Sequence, residues 1–283
     1  MKTIAWATDV HLTMLERPDV DRFCREVGGS GAECLLLGGD ISEAKDLIRW
    51  LEYLDERLGP PIYFVLGNHD YYGSDIETVH RRVRALSSSG LQWLPDAGCI
   101  RLSAEVGLVG HGGWGDMRLG DVERFMILTD YLAIADLSAA VDRDDLLSGF
   151  TQRGPLRQKM AALGDAAAAS LRPALFVAVQ EYPRVLVLMH VPPFREACWH
   201  MGTISEEDWL PGFTCKAIGD LLLETAQAHP NCNLTVLCGH THGRGYVRIR
   251  PNLDVHTEEA DYGEIHFRII ELQGAGMELL PDS

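Results

Sequence analysis

The chain has 283 residues, of which 46% are hydrophobic and 23% are charged. A chain of this size and mixture can bury a large core without disulfides or zinc, and its composition excludes collagen, coiled coil and bulk disorder. The 25 basic and 41 acidic residues give a net charge of −16. A negative field of this size repels phosphate backbones and disfavours a non-specific nucleic-acid binder.

No run of 18 apolar residues occurs, so no transmembrane helix and no membrane partner are expected. Asp9 and His11 interrupt the N-terminal apolar stretch before it reaches the length of a signal peptide. The seven cysteines are scattered without a CxxC pair, which is typical of buried, reduced thiols. These features predict a cytoplasmic protein.

Five short apolar runs end abruptly in polar clusters, usually with glycine alongside. The runs are residues 3–8, 34–37, 62–66, 185–189 and 234–238. Apolar runs of this length without alternation predict strands that are buried on both faces. In parallel sheets ligands bind at the carboxyl ends of the strands, which is where all five polar clusters stand.

Helical spacing of apolar residues separates the early strands. It is found at residues 18–28, 43–58 and 75–88, and residues 121–182 are also predicted to be largely helical. Alternating strands and helices favour crossover units and a mainly parallel sheet. Further strands are predicted within 99–110, 245–257 and 264–271. Because these are too many strands for one modest sheet, we expect two packed sheets with helices outside.

The polar clusters contain the residue types that bind divalent metal ions. These residues are Asp9, His11, Asp40, Asn68, His190, His240 and His242, with His69 and Asp70 beside Asn68. Imidazole combined with carboxylate suits zinc, manganese or iron. Residues two apart on an extended segment point to the same side, so each Asp-x-His or His-x-His pair can direct two ligands into one space. Seven ligands exceed the need of one tetrahedral ion and suit two ions that share a carboxylate.

The five blocks are Asp-x-His, Gly-Asp, Gly-Asn-His-Asp, a lone His and Gly-His-Thr-His. In residue type and order they resemble the calcineurin-like metallophosphoesterase superfamily, from Asp9 to His242. The resemblance implies an α/β fold, a four-layer α/β/β/α sandwich of two mixed β-sheets flanked by helices, with the metal site at the strand carboxyl ends. It places the whole of 1–283 in one domain.

The resemblance also implies roles for the polar residues. One metal ion would be held by Asp9, His11 and His242. The other would be held by Asn68, His190 and His240. Asp40 would bridge the two ions, His69 would contact the substrate phosphate and protonate the leaving oxygen, and Asp70 would orient His69. The ions would be divalent or of mixed valence, and their identity is left open among manganese, iron and zinc.

The implied activity is hydrolysis of a phosphodiester or phosphomonoester of a small molecule, by attack of a metal-bridging hydroxide on phosphorus. Two alternatives stay open. One is a non-catalytic binding scaffold with the same fold, and the other is a nuclease of the same superfamily. The acidic net charge disfavours the nuclease.

Three further residues are candidates for substrate binding. His111 opens a turn-like segment, Arg195 follows the His190 turn, and His200 lies in a loop with aromatic residues and glycine. The segment 112–182, between the third and fourth blocks, is the candidate for a largely helical, cap-like insertion. Such insertions carry selectivity because loops vary most.

Overall fold

The computed structural model describes residues 2–86, 90–141, 154–273 and 276–279, and these contain fourteen strands. In chain order the strands are β1 Lys2–Ala7, β2 Leu35–Gly38, β3 Ile62–Val65, β4 Leu91–Trp93, β5 Ile100–Arg101, β6 Val106–His111, β7 Arg184–Met189, β8 Trp199–His200, β9 Thr203–Ile204, β10 Asn233–Cys238, β11 Gly245–Arg250, β12 Leu253–Thr257, β13 Arg268–Gln273 and β14 Gly276–Leu279. The five predicted apolar runs correspond to β1, β2, β3, β7 and β10.

Twelve of these strands form two six-stranded sheets. The first has the order β14-β13-β1-β2-β3-β4, and the second has the order β11-β12-β10-β7-β6-β5. In each sheet four adjacent strands are parallel, namely β1 to β4 in the first and β12, β10, β7 and β6 in the second. Antiparallel strands complete the edges. The prediction of two mixed sheets is therefore confirmed.

Helices cover the outer faces of the sheets. Their bounds are α1 Arg17–Gly29, α2 Leu47–Arg57, α3 Ile76–Arg84, α4 Leu94–Ala97, α5 Asp130–Ala133, α6 Ala135–Ser138, α7 Gly154–Glu181, α8 Leu210–Phe213 and α9 Lys216–Ala228, with single 3-10 turns at Leu12–Met14, His69–Tyr71 and Arg195–Ala197. The first turn of α3 is capped by Asp75, whose carboxylate accepts the N–H of Thr78 at 2.8 Å.

Strands are buried on both faces because each face meets a different core. In β1, Ile4 and Trp6 belong to the cluster between the two sheets. Ala5 and Ala7 belong to the larger cluster that includes the helices. Alternate side chains of a strand point to opposite faces, which explains why an unbroken apolar run gives a central strand here.

The segment 112–182 divides into parts with different surroundings. Residues 142–153 lie outside the described residues. Helix α7 packs against α9 and β6 and buries Leu171, Leu175 and Ala178, so it belongs to an outer layer of the sandwich. The cap-like role of the segment stays a prediction, which now concerns the residues before α7.

One described helix, α7, is long and apolar enough by length and composition to cross a membrane. The absence of an unbroken apolar run of 18 residues predicted no such helix, and α7 differs because isolated polar residues interrupt its apolar sequence. A helix that packs one face into a protein core can have the same length and apolar composition. This finding is therefore weak evidence for a membrane span.

Candidate metal centre

The seven predicted ligands are brought together at the carboxyl ends of five parallel strands. Five of them have a left-handed backbone, with φ of 52° at Asp9, 41° at His11, 48° at Asp40, 69° at His240 and 55° at His242. This conformation costs a residue with a Cβ roughly 1–2 kcal/mol. Such strain is characteristic of functional sites, where the surrounding structure enforces it. It turns the chain sharply as each strand ends, so that the side chains face one space.

Two glycines leave room for the ligands. A Cβ on Gly67 would lie 2.2 Å from Asp40 Oδ1 and 2.7 Å from His190 Nε2. A Cβ on Gly239 would lie 2.0 Å from Asp9 Oδ2. These distances are shorter than any tolerable contact, so only glycine permits the backbone to approach the carboxylates so closely.

A first group of donors consists of Asp9, His11 and His242, whose ligand atoms all lie within 4.8 Å of one another. His242 Nε2 is 3.4 Å from Asp9 Oδ1 and 3.5 Å from His11 Nε2. One carboxylate with two imidazoles is a donor set that suits a borderline divalent ion. It is the set that the resemblance implied for the first metal ion.

A second group surrounds Nε2 of His190. Asn68 Oδ1 lies 2.9 Å from this nitrogen, His240 Nδ1 lies 3.2 Å from it, and Asp40 Oδ1 lies 3.3 Å from it. The other oxygen of Asp40, Oδ2, is 3.9 Å from His11 Nε2 in the first group. Asp40 therefore faces both groups, which is the position that a bridging carboxylate requires.

Backbone carbonyls orient two of the imidazoles. His190 Nδ1 lies 3.0 Å from the carbonyl oxygen of Gly38, and His240 Nε2 lies 3.1 Å from that of Gly212. A carbonyl only accepts, so each of these ring nitrogens carries the proton. The opposite nitrogen of each ring keeps its lone pair and faces the other ligands, as in metal sites whose histidines are held by outer partners.

The electrostatics of this cluster also fit divalent cations. Burial lowers the pKa of His11 and His190 to about 3 and that of His240 to about 4, so these imidazoles are neutral at pH 7. Burial raises the pKa of Asp40 well above its ordinary value, and the nearby Asp9 and Asp70 raise it further. A cation bound among neutral imidazoles and crowded carboxylates would offset both the repulsion between the carboxylates and the cost of burying their charge.

His69 lies at the edge of the cluster with 16% of its side chain exposed. Its ring stacks on Tyr72 with centroids 4.2 Å apart, and its Nε2 is 3.9 Å from Asp40 Oδ2. Its backbone N–H donates to Asp40 Oδ1 at 2.9 Å. Geometry alone also allows His69 to join His11 and Asp40 as a metal ligand, so its implied contact with substrate stays a prediction.

The structure gives Asp70 a different position from the predicted one. Its two carboxylate oxygens accept the backbone N–H groups of Ser42 and Gly67, both at 2.8 Å. The residue is fully buried, and burial raises its pKa to about 7. Asp70 thus connects the loop that carries Asp40 with the loop that carries Asn68. The expectation that its carboxylate orients the His69 ring is not met, because both oxygens are bound to backbone.

Asp130 is a residue of the site that the sequence did not reveal. Its Oδ1 accepts a hydrogen bond from Asn68 Nδ2 at 2.9 Å and another from the Tyr72 hydroxyl at 2.5 Å. The first bond fixes the amide of Asn68 so that its oxygen faces His190. Asp130 belongs to the segment 112–182, where no motif distinguishes it from other acidic residues.

Replacing Asp130 by Ala is expected to weaken manganese binding by about 10- to 100-fold, as does the loss of other partners of metal ligands. Isothermal titration of metal-free protein with manganese measures the effect. Asp165→Ala, which removes an exposed carboxylate of α7 that pairs with Arg118, is the matched control. An unchanged affinity in Asp130→Ala would show that Asn68 needs no such support.

A cavity of about 250 Å³ opens over the cluster. His200, a candidate for substrate binding, lines it, and its Nδ1 lies 2.9 Å from the carbonyl oxygen of Thr241. Aromatic residues complete the wall, namely Tyr72, Trp209, Phe213 and Tyr262. No sequence pattern identified these four as site residues.

Two of the candidate substrate-binding residues lie elsewhere. His111 lines a separate cavity of about 230 Å³, where its Nδ1 accepts the N–H of Gly113 at 3.0 Å. Arg195 forms an ion pair with Glu207 at 3.0 Å and is absent from the described lining of the site. Both residues therefore lie outside the described lining of the cavity over the donor cluster, and their contact with substrate stays a prediction. Chain proximity to His190 or to a strand end did not bring these residues into the cavity.

Comparison with known proteins agrees with this fold. Similar folds occur in a dimetal phosphatase from Danio rerio (TM-score 0.61, 15% identity, covering 98% of this chain and 95% of that one) and in the phosphopantetheinyl hydrolase of Mycobacterium tuberculosis (0.57, 16%, 92% and 90%). A third is GAP50, the anchor in the inner membrane complex of Plasmodium (0.52, 11%, 98% and 82%). No curated protein sequence matches this chain. A family model described as calcineurin-like phosphoesterase matches residues 2–244. The chain belongs to the calcineurin-like phosphoesterase family.

Proposed function

We propose that this protein is a dinuclear metal-dependent phosphoesterase that hydrolyses phosphate esters of small molecules. The observation that carries the proposal is the meeting of a complete set of oxygen and nitrogen donors beneath one cavity. Two divalent ions, when bound, would polarise phosphoryl oxygens and make water more acidic. Manganese, iron and zinc all suit the donors.

The chain's own residues have distinct parts in this proposal. Asp9, His11 and His242 would hold one ion, and Asn68, His190 and His240 would hold the other, with Asp40 between them. His69, at the cavity wall, would donate a proton to the leaving oxygen. Its stacking on Tyr72 holds the ring in place. Asp130 keeps the Asn68 amide oriented.

Two observations weigh against the alternatives. The described residues that line the cavity include neither lysine nor arginine, whereas a nuclease needs cationic side chains along the backbone of its substrate. GAP50 is described as an anchor and has a similar fold. An anchoring role would not require neutral imidazoles whose unprotonated nitrogens face a shared carboxylate, which is an arrangement that suits a bound cation. We also propose a cytoplasmic location, in keeping with seven cysteines that are all free.

Metal removal tests the proposal. We expect protein stripped with a chelator to hydrolyse neither bis(p-nitrophenyl) phosphate nor p-nitrophenyl phosphate, and turnover to return on reloading with manganese. The control is protein dialysed in parallel without the chelator. Turnover that survives complete stripping, or that fails to appear after reloading with manganese, iron and zinc in turn, would contradict the proposal.

A further inference from the structure

Aromatic rings flank the candidate metal centre on two different sides. On the side of the first donor group, the ring of Tyr262 lies 4.8 Å from that of His11 and 5.0 Å from that of His242. On the side of the second group, the ring of Phe213 lies 5.1 Å from that of His240. Trp209 extends this second side, with its ring 5.1 Å from that of Phe213.

The two sides differ in their relation to His69. His69 lies on the side of Tyr262, with the two ring centroids 6.5 Å apart, and Tyr262 is 59% exposed, so a group bound there reaches solvent. The second side is formed by Trp209, which stacks on His200 with centroids 6.3 Å apart, and by the buried Phe213. A leaving group next to His69 would occupy the first side and leave the second side free for another substituent.

Apart from the metal ions that the proposed function places beneath it, the described cavity wall offers no positive charge to a second negative charge on the substrate. Among the described lining residues Asp40 and Asp130 carry carboxyl groups, and no lysine or arginine balances them. Arg244, two residues after His242, is committed to an ion pair with Glu259. A phosphomonoester carries nearly two negative charges at pH 7 and a diester carries one. The extra charge of the monoester would find no cationic side chain here.

We propose that the site selects singly charged phosphodiesters whose retained substituent is a planar aromatic or heteroaromatic group packed against Trp209 and Phe213. This inference rests on the proposed function for the position of the phosphate. A diester has two organic substituents, and the cavity offers an aromatic surface to each of them. Trp209 is a specificity-determining residue in this account, since it contacts the substituent that does not leave.

Binding isolates the contribution of Trp209. In manganese-loaded full-length protein that carries His69→Ala, so that hydrolysis is too slow to consume the ester, isothermal titration is expected to show that diphenyl phosphate binds about three- to tenfold more tightly than methyl phenyl phosphate, the range that aromatic packing gives. Trp209→Ala should remove this preference. Phe176→Ala, which truncates a ring that is 63% exposed on α7, is the matched control and should keep it. A preference that persists in Trp209→Ala would overturn the inference.

Hydrolysis provides the second measurement. We expect kcat/KM to be higher for bis(p-nitrophenyl) phosphate than for p-nitrophenyl phosphate, and a preference for the monoester would overturn the inference while leaving the proposed function intact. If neither ester is hydrolysed, the proposed function fails and the binding measurement alone decides the inference. Trp209→Leu, which retains an apolar side chain, replaces Trp209→Ala if thermal melting shows that the Ala variant is unfolded.

Discussion

Replacing Asp40 by Asn is expected to abolish metal-dependent hydrolysis without unfolding the protein. Asp40 has one oxygen 3.3 Å from His190 Nε2 and the other 3.9 Å from His11 Nε2, so it serves both donor groups at once. The amide keeps the shape of the carboxylate but removes its charge. Manganese affinity should therefore fall by more than the ~10- to 100-fold expected for an outer partner such as Asp130.

The same substitution should stabilise the metal-free fold. Burial and the neighbouring Asp9 and Asp70 raise the pKa of Asp40 well above its ordinary value, which means that a charge at this position opposes folding at pH 7. A neutral amide removes that cost. The metal-free variant should then melt at or above the temperature of the metal-free wild type, although it is inactive.

Thermal melting with and without manganese tests this combination. At one hundred times its dissociation constant, a ligand stabilises a fold by about 2.7 kcal/mol, so manganese should raise the melting temperature of the wild type strongly and that of Asp40→Asn little. Asp46→Asn, at the half-buried start of α2 where Asp46 lies 3.9 Å from Arg49, is the matched control and should behave as wild type. An Asp40→Asn protein that keeps both turnover and the manganese shift would refute the bridging role.

Replacing His69 by Ala is expected to lower kcat by ~10²- to 10⁴-fold for esters with poor leaving groups, the usual contribution of a general acid. Phenolate needs a proton more than p-nitrophenolate does as it departs. The loss should therefore be larger for diphenyl phosphate than for bis(p-nitrophenyl) phosphate. Steady-state kinetics with the two diesters measures this difference.

Metal content separates the two roles that geometry allows to His69. As a group that acts on substrate, its loss should leave the manganese content of the protein unchanged. If His69→Ala binds as little manganese as Asp40→Asn, His69 is a ligand and the assignment as general acid is wrong. His229→Ala, which changes a histidine that directly follows α9, is the matched control for both measurements.

The position of the seven candidate ligands was predictable from sequence because they follow strands that are buried on both faces. An unbroken apolar run such as that of β7 has one structural solution, a central parallel strand, and the residue after it must then emerge at the carboxyl edge. His190 emerges there, and so do Asp9 and Asp40. At these positions the strand pattern in the sequence and the topology of the sheets place the same residues at one edge. The structure therefore brings together the seven residues that the resemblance implied.

The residues around that set were not predictable because tertiary contacts place them. Asp130 contacts Asn68 across 62 positions of the chain, and nothing near it in sequence marks the contact. Asp70 stands next to His69 in a motif, yet the 3-10 turn at His69–Tyr71 directs its carboxylate to the backbone of Ser42 and Gly67. Residues that are adjacent in sequence need not act together when a tight turn directs their side chains to different partners.

Pro173 shows the same limit for helices. A proline inside a helical pattern predicts a break, because it removes one hydrogen bond and crowds the preceding turn. In the structure α7 runs through it from Gly154 to Glu181. Burial of Leu171, Leu175 and Ala178 on the face that packs against the sheet offsets the local cost of the proline.

The number of metal ions bound per chain tests the central claim most directly. Protein stripped of metal, reloaded with manganese and freed of excess ion is measured by plasma mass spectrometry. The donor geometry around Asp40 predicts two manganese ions per wild-type chain. A chain that retains one ion or none, or no more than Asp40→Asn retains, would contradict the assignment of these seven residues as a dinuclear metal centre.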